Sequence, residues 1–253
     1  MNTNGLQKKH CFIKNHAFMV MPADSTFWDA GIQRPLENSS KRSRENDPRA
    51  NPTMFSDDEM LSWQPIILIR NPMAVFESWM RVMGSPYPDL NARVSMLYTT
   101  LKHQRRIFDW YRHKRSTSGK GKLPIVVDAD DIIEGTEAVY QLCSLLNMRP
   151  EELLFRWEIE QRSEEPSGQN MRLQHFRDTI RNSTGVDQSK TSRNLDLASK
   201  EVKWCEIFGA EKASMLAERV RISWADYEHL KAFKLCGSTA SCDKEASVAQ
   251  PAS

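Results

Sequence analysis

The sequence predicts an α/β fold in which a parallel sheet is covered by helices. Three short apolar runs look like buried strands: residues 10–15, 65–69 and 123–128. A charged residue directly follows the apolar part of each run, and helical stretches follow the second and third runs, an order that is typical of parallel sheets. Ligands of such sheets bind beyond the carboxyl ends of the strands, so we expect Lys14, Arg70 and Asp128 to lie at one functional edge.

Two helices are predicted from apolar residues that recur at three- and four-residue steps. The first covers residues 90–113, and its apolar stripe consists of Val94, Leu97, Tyr98, Leu101, Phe108 and Tyr111. The second follows the third strand and contains Val139, Leu142, Cys143 and Leu146. We expect Asp130 or Asp131 to cap this helix rather than to act in catalysis. The remaining segment, residues 150–236, is expected to form helices and loops.

Length and composition indicate one domain. A chain of 253 residues stays within the usual size of a single hydrophobic core, and 40% hydrophobic residues suffice to build it. We expect this domain to span residues 1–236. Two stretches, residues 33–52 and 237–253, contain few apolar residues and are expected to be disordered.

Charge, cysteine content and hydropathy argue against several classes of protein. The formal net charge is only +2, far from the basic surplus of many nucleic-acid-binding proteins, so we expect no nucleic-acid partner. The five cysteines are scattered, without the paired spacing of zinc ligands, and predict reduced thiols and no metal. The N-terminus lacks a signal-peptide pattern, and no apolar run reaches about 18 residues, so we expect a cytoplasmic protein without a membrane segment.

The most informative motif is the turn Arg70-Asn71-Pro72 after the second predicted strand, with Ser78 further along the chain. Asn71 is suited to cap a helix and Pro72 to occupy its first position, and such a helix presents backbone N–H groups to an anion. Ser78 lies nearly two helical turns after the cap, so Arg70 and Ser78 can hold one phosphate together. The alternative is structural, an ion pair between Arg70 and a helix carboxylate such as Glu77.

A second motif, Lys14-Asn15-His16, follows the first predicted strand. Histidine titrates near neutral pH and can take a proton from a hydroxyl group, and lysine can stabilise negative charge that develops during group transfer. His16 is therefore a candidate general base and Lys14 a candidate electrostatic helper. The alternative is a histidine that makes only structural hydrogen bonds.

These two motifs resemble the sulfotransferases that use 3′-phosphoadenosine 5′-phosphosulfate (PAPS). Those enzymes contain a Lys-Thr-His-Leu-Pro segment, then a strand, an Arg-Asn-Pro or Arg-His-Pro turn, and a Ser eight positions after the Arg. Lys14, His16, Arg70 and Ser78 follow the same order and spacing.

Other stretches are similar to a fungal branch of this family that is linked to secondary metabolism. They are the acidic strand-to-helix stretch 126–133, Trp157 and the tripeptide Ser183-Thr184-Gly185. The resemblance implies a P-loop-type α/β fold with a helical C-terminal part.

The resemblance also implies a function for each candidate residue. Arg70 and Ser78 would bind the 3′-phosphate of PAPS, His16 would take the proton of the acceptor hydroxyl, and Lys14 would stabilise charge on the sulfuryl group. The expected reaction is transfer of a sulfuryl group from PAPS to a hydroxyl of a small metabolite.

One element of the family pattern is not found. The loop that wraps the 5′-phosphosulfate, of the type Pro-Lys-Ser-Gly-Thr, would be expected before Cys11. By this resemblance the fold is N-terminally incomplete, and a partner chain or a missing N-terminal segment would complete the sheet. The chain is then either a PAPS-dependent sulfotransferase or a non-catalytic relic or interaction protein that at most binds the nucleotide. A phosphoryl-transfer enzyme has less support, because it requires a glycine-rich loop with its lysine.

Overall fold

A two-stranded parallel sheet lies at the centre of the fold. The computed structural model describes residues 11–22, 47, 49–159 and 181–235. Strands β1 (Ile66–Ile69) and β2 (Ile125–Asp128) pair in parallel, with Ile66 opposite Ile125 and Ile69 opposite Asp128. Beyond the helix Ala210–Lys231 the backbone returns beside β2, where the Leu235 N–H donates to the Val126 carbonyl at 2.8 Å. The predicted α/β class and parallel pairing are confirmed.

Helices surround this sheet among the described residues. They are α1 (Asp57–Ser62), α2 (Pro72–Met83), α3 (Arg93–Tyr98), α4 (Lys102–Ser118), α5 (Ala129–Glu134), α6 (Glu137–Leu146), α7 (Leu197–Phe208) and α8 (Ala210–Lys231). Short 3₁₀ turns occur at Ala17–Val20, Pro150–Glu152 and Gln188–Lys190. No described helix combines the length and apolarity that crossing a bilayer requires.

The first predicted strand, residues 10–15, is wrong for the part that is described. Residues 11–15 have no regular secondary structure, and the side chains of Phe12 and Ile13 are 58% and 84% exposed. A strand is stable only when a neighbour satisfies its backbone hydrogen bonds, and none of the described strands pairs with this segment.

The predicted helix at 90–113 is also wrong in its extent, because residues 99–101 interrupt it. The Thr99 hydroxyl donates to the Ser95 carbonyl at 2.9 Å, and the Lys102 N–H donates to the Thr100 hydroxyl at 3.2 Å. These side chains compete for backbone partners, so helix α3 ends and α4 starts anew. The apolar stripe survives on α4, where Phe108 and Tyr111 are buried.

The helix after β2 is capped two residues before the nearer of the two predicted caps, and it is split in two. The carboxylate of Asp128, rather than Asp130 or Asp131, caps α5 by accepting the Asp130 N–H at 3.1 Å. Gly135 separates α5 from α6. The predicted Asp130 or Asp131 cap is wrong because both carboxylates are engaged with side chains from later in the chain.

The disorder predicted for 33–52 and 237–253 falls mostly outside the described residues. Near the end of the first stretch, Asn51 donates to the Phe55 carbonyl at 2.9 Å and Pro52 is buried. These residues therefore belong to the packed part of the chain.

Helix α8 joins the two main hydrophobic clusters. Its first half packs with α2 and α7 in the larger cluster: Met73, Phe76, Trp79, Met80, Leu90, Trp204, Phe208, Ala213, Leu216, Ala217 and Val220. Its second half packs against the sheet in a cluster with Ile67, Ile69, Leu101, Phe108, Val126, Tyr227 and Leu230. The strand ends are therefore fixed relative to α2 by packing against a common helix.

A carboxylate lies at the boundary of the larger cluster. Glu77 on α2 accepts from Lys200 Nζ at 2.6 Å, from the Trp204 indole N–H at 3.0 Å and from Arg81. Burial opposes the charge of Glu77, but these hydrogen bonds outweigh it and lower the pKa of the carboxyl group. Trp204 is fully buried, so its N–H depends on this acceptor.

Replacing Glu77 should destabilise the fold strongly. Glu77→Ala leaves the Trp204 N–H and the Lys200 ammonium without their acceptor, and we expect the free energy of unfolding to fall by about 2–3 kcal/mol in urea denaturation. The matched control is Glu201→Ala, which breaks a more exposed ion pair with Arg221 and should cost about 0–1 kcal/mol. Equal losses in the two variants would contradict the role of Glu77.

Candidate functional site

The Arg70-Asn71-Pro72 turn forms as the sequence predicts. The Asn71 side-chain oxygen accepts the Met73 N–H at 2.9 Å, and Pro72 is the first residue of α2. Asn71 is buried, and its amide also donates to the Ser192 carbonyl at 3.3 Å. The helix therefore begins at the carboxyl end of β1, where its N–H groups can meet an anion.

The guanidinium of Arg70 is half-buried beside this turn. One of its terminal nitrogens, Nη2, donates to the Lys190 carbonyl, and its Nε is buried without a hydrogen-bond partner among the described residues. The alternative ion pair with Glu77 is not formed, because Glu77 binds Arg81, Lys200 and Trp204. A buried donor without a partner is costly, so Arg70 suits an acceptor that comes from outside this part of the protein.

Ser78 is exposed on α2, on the side away from the buried residues Phe76, Trp79 and Met80. Its helical position relative to the cap is the predicted one, because α2 is continuous from Pro72 to Met83. The hydroxyl is thus free of core packing and accessible to a ligand.

A segment that the sequence did not reveal covers the ends of both strands. We call residues 190–193 the strap. The strap touches the end of β1 through Arg70 and Asn71, as described above. It touches the end of β2 through Ser192, whose N–H and hydroxyl donate to the Asp130 carboxylate at 3.0 and 2.6 Å. Ser192 and Asp130 are both buried, at 0% and 3% exposure.

Ion pairs fix the outer part of the strap. The Thr191 hydroxyl and the Arg193 guanidinium donate to Glu134, and Arg193 also donates to Asp131 at 2.6 Å. Asp131 is held on its other side by Lys234, 2.7 Å away. The run of carboxylates after β2 therefore has a structural use, which is to bind the strap.

Asp128 lies at the same edge as Arg70, as predicted. Its carboxylate is buried and accepts from the Tyr227 hydroxyl at 3.2 Å. Burial raises the pKa of Asp128, and the neighbouring charges of Asp130 and Asp131 raise it further. Burial and the charge of Asp128 likewise raise the pKa of Tyr227, which keeps it a donor.

Lys14 and His16 lie on a separate, exposed segment. The His16 ring stacks on Phe18 with centroids 5.5 Å apart and meets the edge of Tyr98 at 5.7 Å. Tyr98 in turn stacks on Trp79 of α2. Partial burial, and then the nearby charge of Lys14, lower the pKa of His16. An aromatic chain from His16 through Tyr98 to Trp79 thus links the His16 segment to α2 in the described structure.

Trp157 and the tripeptide Ser183-Thr184-Gly185, which carry part of the family resemblance, contact each other in the structure. The Trp157 indole N–H donates to the Ser183 hydroxyl at 3.2 Å, and the backbone N–H of Trp157 donates to the Thr184 carbonyl at 3.1 Å. Arg156 and Gly185 form an isolated antiparallel bridge. These residues hold the start of the segment that leads into the strap.

Two fungal proteins are similar to the chain over most of its length. The chain is 31% identical over 243 residues to the sulfotransferase ppzF of Metarhizium majus (strain ARSEF 297), which corresponds to 90% of this chain and 71% of the relative. It is 30% identical over 241 residues to the sulfotransferase ppzF of Metarhizium rileyi (strain RCEF 4871), with the same coverage. No family model matches the chain, and no solved structure does.

The buried carboxyl group of Asp128 should make stability depend on pH. Its raised pKa means that ionisation costs stability as the pH rises above the ordinary value of 3.8 and through the folded-state value. Asp128→Asn keeps an acceptor for the Asp130 N–H but cannot ionise. We therefore expect the unfolding free energy of this variant, relative to the wild type, to rise with pH from about 4 and then to level off.

A cap with the opposite shift provides the control. Hydrogen bonds from Ser199 lower the pKa of Asp196, so the relative stability of Asp196→Asn should fall as the pH rises toward the ordinary value of 3.8 and should stay level above it, where that of Asp128→Asn rises. Urea denaturation at several pH values measures the unfolding free energies of both variants relative to the wild type. The same sign of pH dependence in the two variants would show that Asp128 is not the titrating group.

Proposed function

The chain belongs to the fungal sulfotransferase family, and we propose that it transfers a sulfuryl group from PAPS to a hydroxyl of a small metabolite. The observation that carries the proposal is the half-buried Arg70 beside the start of α2, whose Nε has no hydrogen-bond partner among the described residues. Sequence similarity supports the family, and this donor arrangement supports an anionic ligand at the carboxyl end of β1.

The residues at this edge fit the phosphate of such a donor. Arginine presents planar donors that match phosphate oxygens, and besides the Nη2 contact to Lys190 the Nε has no hydrogen-bond partner among the described residues. Ser78 adds an accessible hydroxyl on α2, the helix that follows Arg70. In this proposal Arg70 and Ser78 bind the 3′-phosphate.

His16 and Lys14 supply the chemistry at the acceptor in this proposal. PAPS would supply an activated sulfuryl group: a new S–O bond to the acceptor oxygen would form as the bridging S–O bond breaks, and 3′-phosphoadenosine 5′-phosphate would leave with the bridging oxygen. The hydroxyl proton passes to a ring nitrogen of His16. The lowered pKa of His16 keeps the ring neutral near pH 7, as a general base requires. The ammonium of Lys14 offsets negative charge that develops on the transferred group.

A second candidate function is nucleotide binding without transfer. It is favoured by one observation: Lys14 and His16 lie on an exposed segment that is not part of the sheet, whereas Arg70 and Asn71 are held at its edge. Catalysis is far more sensitive to position than binding is, so the binding half of the site can act without the other. The two candidates share the site at Arg70 and differ in turnover.

The phosphate site should prefer a nucleotide with a 3′-phosphate. We expect 3′-phosphoadenosine 5′-phosphate to bind more tightly than AMP in calorimetry, because only the former reaches Arg70 and Ser78 with a phosphate. Arg70→Ala should reduce this preference by about tenfold to a hundredfold, the usual size of a charge-assisted contact.

An exposed arginine serves as the matched control for this measurement. Arg149 forms a surface ion pair with Glu152, and Arg149→Ala should leave the preference unchanged. Equal affinity of the wild type for the two nucleotides would exclude the proposed phosphate site. If Arg149→Ala reduced the preference as much as Arg70→Ala does, the effect would come from the loss of one positive charge and not from a site at Arg70.

Turnover should depend on His16 and on pH. His16→Ala should abolish transfer of labelled sulfate from PAPS to a panel of hydroxylated aromatic and aliphatic acceptors, while nucleotide binding is retained. In the wild type kcat/KM should fall with decreasing pH around a midpoint below the ordinary histidine value of 6.5, because the base must be neutral. Lys14→Met removes a neighbouring charge and should move this midpoint upward.

The same assay separates the two candidate functions. Transfer that disappears with His16 supports the sulfotransferase. Nucleotide binding with no transfer to any acceptor in the panel supports the binding protein instead. A midpoint that does not move in Lys14→Met would show that the titrating base is not His16.

A further inference from the structure

The strap is the only described segment that hydrogen-bonds to the residues after β1 and also to the carboxylates after β2. Its contact with β1 is through backbone carbonyls, those of Lys190 and Ser192, which accept from Arg70 and Asn71. Its contact with the residues after β2 is through donors: Thr191, Ser192 and Arg193 donate to the carboxylates of Asp130, Asp131 and Glu134. The position of Arg70 therefore depends on groups that are attached to the other strand.

Asp130 is the central attachment point of the strap. The Asp130 carboxylate is buried, and the two donors of Ser192 that it accepts come from a residue with no exposed surface. A buried carboxylate without such donors is strongly unfavourable, so this contact holds its geometry firmly. The outer pairs of Arg193 are more exposed, with 46% of that side chain accessible, and water weakens them.

The contact with Lys190 limits the orientations that Arg70 can adopt. An unrestrained arginine samples many rotamers and loses that freedom on binding a phosphate. With Nη2 bonded to a fixed carbonyl, the plane of the guanidinium is set before any ligand arrives, while Nε remains unpartnered among the described residues. Pre-organisation of this kind strengthens binding without adding a contact to the ligand.

We propose that Asp130 is a positioning residue for the phosphate site: through Ser192 it fixes the strap, and through the Lys190 carbonyl the strap fixes the guanidinium of Arg70. This inference rests on the proposed function, because it takes the Arg70 guanidinium as the phosphate-binding group. Asp130 itself does not touch the ligand. Its effect on binding passes entirely through Arg70.

A double-mutant cycle tests this dependence. Asp130→Ala should reduce the preference for 3′-phosphoadenosine 5′-phosphate over AMP by about threefold to tenfold in the wild-type background. It should have no further effect on that preference in the Arg70→Ala background, because the group that it positions is gone. Additive effects in the two backgrounds would overturn the proposal.

Two milder variants keep the test informative if Asp130→Ala does not fold. Asp130→Asn retains an oxygen that accepts the Ser192 N–H and gains an amide that can donate to the Ser192 hydroxyl. Most of the preference for 3′-phosphoadenosine 5′-phosphate over AMP should therefore be retained. Ser192→Ala removes the 2.6 Å hydroxyl contact alone and should give a smaller loss in preference than Asp130→Ala. A full loss in Asp130→Asn would mean that charge rather than position matters and would overturn the proposal.

A structural control separates positioning from general loss of stability. Ser223 is also buried and donates to a backbone carbonyl, that of Thr99, on α8 away from the strap. Ser223→Ala should lower the melting temperature without changing the ratio of the two nucleotide affinities. A changed ratio in this variant would overturn the assignment of a specific role to Asp130.

Hydrogen–deuterium exchange of the nucleotide-free protein distinguishes failure of this inference from failure of the proposed function. Asp130→Ala should speed exchange in peptides that contain residues 190–193, and Ser223→Ala should not. Unchanged exchange there would overturn the inference whatever the nucleotide results. Faster exchange together with a wild type that does not distinguish the two nucleotides would confirm that Asp130 holds the strap, but overturn both the phosphate site and the role of Asp130 in it.

Discussion

The parallel register of β1 and β2 is the constraint on which the rest of the site depends. Because both strands end at the same edge, the residues that follow them, Arg70 and Asn71 after β1 and Asp130 and Asp131 after β2, are brought close together. An edge that gathers so many polar groups at the margin of a hydrophobic core must satisfy them. The strap does this with backbone carbonyls for the donors on one side and with donors for the carboxylates on the other.

Helix α8 holds the strand ends and the start of α2 in fixed relative positions by packing against both. Its buried face packs first on α2 and α7 and then on the sheet, so the start of α2 and the ends of the strands share one support. Tyr227 extends that support into the polar edge, because its ring packs in the core and its hydroxyl reaches Asp128. Packing of α8 and the hydrogen bond of Tyr227 therefore both fix the position of the residues at the carboxyl ends of β1 and β2.

The sequence predicts those features whose causes are local. The parallel pairing follows from two apolar runs, and the start of α2 follows from an asparagine before a proline. The break between α3 and α4 was not predicted, because apolar periodicity does not register the hydroxyls of Thr99 and Thr100. The strand expected before Lys14 is not formed, because an apolar run specifies a strand only when a neighbouring strand pairs with it. The strap was missed because its partners lie 57 to 121 positions away in the chain, although the acidic run after β2 already required donors from elsewhere.

The distant origin of the strap has a consequence for how the protein is made. Contacts between residues separated by 120 positions carry a large loop-closure cost and form only after nearer contacts have organised the chain. During synthesis, β1, α2 and β2 leave the ribosome well before residues 190–193, so Arg70 has no restraint from Lys190 until that segment has emerged. A nascent chain that ends before the strap therefore carries the arginine without its restraint, and the site matures only after the strap has been made.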